Sequence, residues 1–158
     1  IASRCSGFLE KSFNNRLSKK CGENGLVEDF ICAGESIAQL YETREFNKAI
    51  RSIMELADRA NQYINEKKPW ALAKKTDARD EVHSVCSVGI NLFRILMIYL
   101  KPVLPKLSVK TENFLNCRLE WTRLENLLVD HELKKFEPLM TRIDPKMVQA
   151  MIEHTKLD

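Results

Sequence analysis

The chain has 158 residues, of which 44% are apolar and 30% charged, with a net charge of +3, a balance that excludes a disordered or collagen-like polymer. At this length one domain buries enough surface to fold without a disulfide or a metal. Five glycines and five prolines are too few for the many turns of a β-sandwich and suit long helices.

Ile1, Cys5, Phe8, Leu9, Phe13 and Leu17 recur at three- and four-residue steps. That period predicts a helix running to about Lys20 and ended by Gly22 and Gly25. Val27, Phe30, Ile31, Gly34, Ile37, Ala38 and Tyr41 repeat the pattern in a second helix. A third is predicted from about Glu45 to Glu66, with Phe46, Ala49, Ile50, Ile53, Met54, Ala57, Ala60 and Ile64 facing inward. Pro69 stops it at Lys68, because proline lacks the N–H of the helical ladder and pushes its predecessor out of the α region. A short helix starts at that proline. The next long helix runs from about Asp80 to Leu100 and is apolar nearly all round, through Val85, Gly89, Leu92, Phe93, Leu96, Met97 and Leu100 together with Ile90, Ile95 and Ile98. Such a helix belongs at the centre of a bundle. Pro102 and Pro105 bound a turn, and Ser108 is expected to cap a helix through Asn116. Residues 117–143 are less periodic and read as a loop whose Leu119, Trp121, Leu127 and Leu128 pack on the bundle. Asp144-Pro145, an N-cap followed by proline at the first position, starts a tail helix carrying Met147, Val148, Met151 and Ile152. The expected fold is all-α: about five main helices over residues 1–143 and a C-terminal helical tail over 144–158.

Ile-Ala-Ser-Arg-Cys carries neither a helix start nor a secretion signal, and reads as a chain cut within the first helix of something larger. The apolar run from Val82 to Leu100 is interrupted by Arg94, so no membrane span is expected and the location is expected to be cytoplasmic. Cys5, Cys21, Cys32, Cys86 and Cys117 form no CxxC pair, and free buried thiols are the simplest reading. His83 and Cys86 share a helix face but have no second ligand pair, so no metal is expected.

Charge is uneven along the chain. Residues 1–20 hold five bases and one acid, residues 21–43 five acids and no base, and residues 59–79 six bases and two acids. Two basic segments around an acidic one predict a polarised surface, the usual footprint of a nucleic-acid binder. No Gly-rich phosphate loop or nucleophile elbow is present, the histidines (83, 131, 154) have no evident partners, and no catalytic residue is predicted.

The segment Glu66-Lys67-Lys68-Pro69-Trp70-Ala71 stands apart. Readers of single-stranded RNA need a π-face, a positive field and hydrogen-bonding groups. Trp70 supplies the first, and Lys67, Lys68, Lys74 and Lys75 the second, at a corner held by Pro69. The competing reading makes Trp70 a hinge tucked between two helices.

Several ordered blocks carry a resemblance. Asn47-Lys48-Ala49-Ile50-Arg51-Ser52-Ile53-Met54 leads to Leu56-Ala57-Asp58-Arg59-Ala60-Asn61-Gln62-Tyr63-Ile64, then to Pro69-Trp70, to Gly89-Ile90-Asn91-Leu92-Phe93-Arg94, and to Tyr99-Leu100-Lys101-Pro102-Val103-Leu104-Pro105. In this order they resemble the anticodon-binding domain of bacterial methionyl-tRNA synthetase, a class I methionine–tRNA ligase, from Ile1-Ala2-Ser3-Arg4 to Thr141-Arg142-Ile143-Asp144. The resemblance implies a domain that binds the CAU anticodon loop of tRNA(Met), without catalytic residues of its own. Trp70 matches the family's tryptophan that stacks on the first anticodon base, supported by Pro69, and Arg4 matches an arginine facing the anticodon pocket. An asparagine the family places one turn before that arginine falls ahead of Ile1. Asn61, Lys67, Lys68, Lys74 and Arg142 are further candidate RNA contacts. ATP, and zinc where family members carry it, belong to the catalytic half, which is also the implied partner domain within the parent chain. Lys106-Leu107-Ser108-Val109-Lys110 looks like the synthetase KMSKS loop, but its fourth and fifth residues differ and it lies within the bundle. The alternative function is a helical protein–protein interaction domain without RNA binding.

Overall fold

In the computed structural model, residues 1–20, 25–140, 148, 149 and 152 are described. Five helices of eleven or more residues form the bundle, α1 (Ala2–Phe13), α2 (Gly25–Glu42), α3 (Phe46–Lys67), α5 (Arg79–Leu100) and α6 (Pro105–Leu115), with a single turn, α4 (Pro69–Leu72), between α3 and α5. A 3₁₀ turn follows at Trp121–Arg123. The all-α expectation holds.

Helix α5 is the axis on which α1, α2, α3, α4 and α6 all pack. Its residues from Val85 to Leu92 are all buried, as are Arg94 to Tyr99, because neighbours cover every side. It is the one helix among the described residues long and apolar enough to cross a membrane, and most of it is buried inside the bundle. Gly89 lies at its centre. A Cβ there would stand 2.7 Å from Cys5 Sγ and 2.9 Å from Ile64 Cδ1, so the missing side chain is what lets α1 and α3 approach. Arg94, which interrupts the apolar run, points inward: its Nη2 donates to Arg123 O (2.5 Å) and its Nη1 to Leu124 O (3.5 Å). Burial lowers its pKa, and the bonds it makes hold the 3₁₀ turn against α5.

Three expectations about the helices are corrected. Helix α1 ends at Phe13, not Lys20, because Asn14 and Asn15 both take the left-handed conformation (φ 49° and 56°), and the Asn14 N–H donates to Leu9 O. Asparagine enters this region more readily than other residues with a Cβ and closes helices as glycine does. Gly22 lies outside the described residues, while Gly25 opens α2. In α3 the buried face is Ala49, Ile53, Leu56, Ala60 and Ile64, and Phe46 and Met54 are half exposed. The buried set keeps a tighter helical stripe, and Leu56 takes the inward position assigned to Met54. Ser108 does not cap α6. Pro105 occupies the first turn, and the Ser108 hydroxyl donates to Leu104 O (3.0 Å) from inside the helix.

The segment after α6 packs as expected, with Leu119, Leu124 and Leu133 buried. Trp121 sits against Tyr99 and Tyr41, with ring centroids 5.0 and 6.4 Å away. Asn91 Nδ2 donates to Leu128 O (3.0 Å), and its Oδ1 accepts from the Leu128 N–H (2.8 Å). Cys5 and Cys86 are buried free thiols facing each other across α1 and α5, and the contact with Cys5, together with burial, pushes the Cys86 thiol up. Cys32, contrary to expectation, is exposed, and Cys21 lies outside the described residues. The expected Asp144-Pro145 helix start also lies outside them, although Val148 and Ile152 are described and are about two-fifths exposed.

Candidate nucleic-acid interface

The corner at the end of α3 is built by its own sequence. Lys68 closes α3 through its N–H, which donates to Ile64 O (3.0 Å), and its backbone is left-handed (φ 46°, ψ 60°). That conformation, forced on a residue with a Cβ directly before a proline, costs on the order of 1–3 kcal/mol. Lys68 O then accepts from the N–H groups of Ala71 (2.8 Å) and Leu72 (3.1 Å), so one residue ends α3 and starts α4. Pro69 sits at the first position of α4, where no N–H is needed, and is buried. The buried ring anchors the turn, and the next side chain, Trp70, projects outward with 39% of its surface exposed. That exposure leaves part of the indole open to solvent, while the rest of the residue is covered by the domain.

Lys67, Lys68, Lys74 and Lys75, all within five residues of Trp70, are exposed. None of them takes part in an ion pair among the described residues. Glu66, the nearest acid before them, accepts from Gln62 Nε2 one turn back (2.8 Å). The four lysines outnumber the two acids nearest them in sequence, Glu66 and Asp77.

Arg4 reaches the same end of α3 from the neighbouring helix. Its Nη1 donates to Asn65 Oδ1 (3.0 Å), two residues, or about 3 Å of helix rise, before α3 ends. Asn61 lies one turn deeper, half-buried, and its Nδ2 donates to its own helix at Ala57 O (3.0 Å). The structure thus joins Arg4 to Asn65 rather than to Asn61. Sequence reasoning missed Asn65, although it lies four residues after Asn61 on the same helical face. Arg142 lies outside the described residues. His83 Nε2 is 2.8 Å from Arg16 O and its ring stacks on Phe13 (4.0 Å, 7°), which gives it a structural role. Among the described residues no three His, Cys, Asp or Glu side chains gather as a metal site.

An exposed indole, a field of free lysines and a guanidinium held in place by an amide form a surface suited to a polyanion with stacking bases. The model of the anticodon-binding domain of methionyl-tRNA ligase matches residues 18–154. The chain belongs to this family. Its fold is similar to that of methionyl-tRNA synthetase from Mycobacterium tuberculosis in the ligand-free state, with a TM-score of 0.81 at 18% identity over 91% of this chain and 31% of that one. The same enzyme bound by methionyl-adenylate gives a TM-score of 0.79 at 17% identity, over 89% and 30%. The chain therefore spans under a third of the length of those structures. In this anticodon-binding domain the α3–α4 corner falls inside the family-matched region, whereas Arg4 precedes it.

Proposed function

We propose that this domain recognises the CAU anticodon loop of tRNA(Met), as the RNA-reading part of a methionine–tRNA ligase that joins methionine to tRNA with ATP. The carrying observation is Trp70, 39% exposed on a one-turn helix anchored by buried Pro69. A rigid indole loses little entropy when it binds, and an anticodon base, the first cytosine by family resemblance, stacks on its face. Lys67, Lys68 and Lys74 draw in the phosphates of the loop, and Arg4, oriented by Asn65, hydrogen-bonds a base edge. Asn61 supports that face of α3 from below. ATP, and zinc where it is used, act in the catalytic domain of the parent chain, where the bond-making chemistry lies. A protein-interaction domain without RNA binding explains the bundle but gives no reason for free lysines around an exposed, proline-anchored indole.

The test is titration of the chain with a CAU stem-loop and with stem-loops changed at one anticodon base. Preference for CAU by about tenfold or more per base is expected, because a mismatched site leaves polar groups unpaired at roughly 1–3 kcal/mol each. Equal binding of all loops would overturn the proposal.

A further inference from the structure

The corner leaves a second cationic surface unused. The end of α1, residues 14–20 and the start of α5 enclose a shallow groove rimmed by Lys11, Lys19, Lys20 and Lys75, with Arg79 shared between its two ends. Ala73 and Lys75, three and five residues after Trp70, line the end nearest the corner, so the two surfaces adjoin. None of the four lysines is in an ion pair among the described residues. Two carboxylates line the groove, and one of them is paired. Asp130 accepts from Arg16 Nε (2.6 Å), which holds its carboxyl below the usual range, and Asp80 sits in the first turn of α5, at the positive end of that helix.

The groove is pinned in shape. The Ser18 N–H donates to Ser87 Oγ (2.8 Å), the Leu17 N–H to His131 O (2.8 Å), and the Asp130 N–H to Ser18 O (3.0 Å). Its aromatic side chains among the described residues, Phe13 and His83, already have partners. Phe13 is stacked with His83, and the Arg79 guanidinium lies 5.5 Å from the Phe13 centroid while Nη2 donates to Ser12 O (2.9 Å). What remains is a fixed row of mobile ammonium groups, which match phosphates as point charges and carry no sequence information.

We infer that this groove holds the sugar-phosphate backbone of the RNA stem that carries the loop met by Trp70. The inference rests on the function proposed above and extends it from base reading to stem positioning. A double-stranded RNA stem offers phosphates and 2′-hydroxyls in a regular array and is held by shape and charge, the two properties this groove has.

The experiment titrates the chain, and a variant carrying Lys11→Ala, Lys19→Ala and Lys20→Ala, with CAU hairpins of full and shortened stem over a salt series. The three lysines are exposed, and thermal melts of both proteins confirm equal folding. The variant is expected to bind the full-stem hairpin about tenfold or more weakly at low salt, with a log K against log salt slope shallower by roughly 2. Its preference for CAU should be unchanged, and arginine at the same three positions should restore the binding. Shortening the stem should weaken the parent chain and leave the variant nearly unaffected. A variant with the parent's affinity and slope, or a parent insensitive to stem length, overturns the inference. Loss of CAU preference in the parent instead defeats the loop reading, and stem length and salt slope judge the groove separately.

Discussion

Lys68 concentrates the logic of the corner in one residue. Its left-handed backbone is the hinge that turns the chain from α3 into α4 and aims Trp70 outward. Glycine adopts this conformation at no steric cost. Lys68→Gly should therefore leave the melting temperature unchanged or slightly raised while lowering RNA affinity through the lost charge, a pair of effects that a melt and a titration separate. A marked fall in stability would mean that the lysine side chain, not its backbone, holds the turn. Gly89 is the opposite case, a glycine chosen for space. Alanine there gains up to about 1 kcal/mol of helix propensity. It must also push back Cys5 Sγ and Ile64 Cδ1, and overpacking of this kind costs about 1–3 kcal/mol. Net destabilisation is expected in a denaturant titration, and a stabilised Gly89→Ala would show that α1 and α3 yield easily. At this scale the proline-tryptophan corner was legible, because proline stops a helix by a local rule. The Arg4–Asn65 bond was not, because it joins residues 61 positions apart and depends on how α1 lies against α3.

Helices were legible to the extent that periodicity marks them. The all-round apolar character of α5 announced a central element, and the structure places it there. The end of α1 was misread because Leu17 continues the spacing and is buried, yet reaches the core from an irregular segment after two left-handed asparagines. Burial, not helicity, is what the spacing reported. The junction of α5 and α6 offers a test by pH. Glu112 of α6 accepts from Lys101 Nζ (2.7 Å) and from the Leu119 N–H (2.9 Å), with its side chain 14% exposed. Burial acts to raise its pKa, but those bonds and the charges of Lys101 and Arg118 outweigh it, and the carboxyl is held below its ordinary value. A carboxylate depressed in the folded state adds stability above its unfolded pKa and loses it as the pH falls through the folded one. Glu112→Gln should thus cost about 1–3 kcal/mol near neutral pH. The difference from the parent should shrink in acid, once Glu112 itself is protonated. A cost that stays constant from neutral pH to about pH 3 would contradict the charged bond.

At the scale of the molecule, the helices form one core around α5, while the 14–20 segment and residues 128–133 are stitched together by backbone bonds, among them Leu133 N–H to Asn15 O (2.8 Å). The cysteines at Cys5, Cys32, Cys86 and Cys117 are free. Far-ultraviolet circular dichroism after chelation and thiol reduction should therefore show the helical signal undiminished, and a large loss would reveal a crosslink or metal on which the fold depends. The unequal charge of the segments predicts a basic face, but could not say how residues 14–20 run across α5, which depends on the tertiary fold. The central claim, that Trp70 is a stacking platform and not a core residue, is tested most directly by one paired measurement: CAU stem-loop titration and thermal melting of Trp70→Ala beside Trp70→Phe. Stacking on an aromatic is worth about 1–3 kcal/mol per base, so the alanine variant should bind roughly five- to hundredfold more weakly with its melt nearly unchanged, and phenylalanine should recover part of the loss. An alanine variant destabilised by the roughly 3–5 kcal/mol of a buried aromatic, or one that stays folded and binds the loop like the parent, would contradict it.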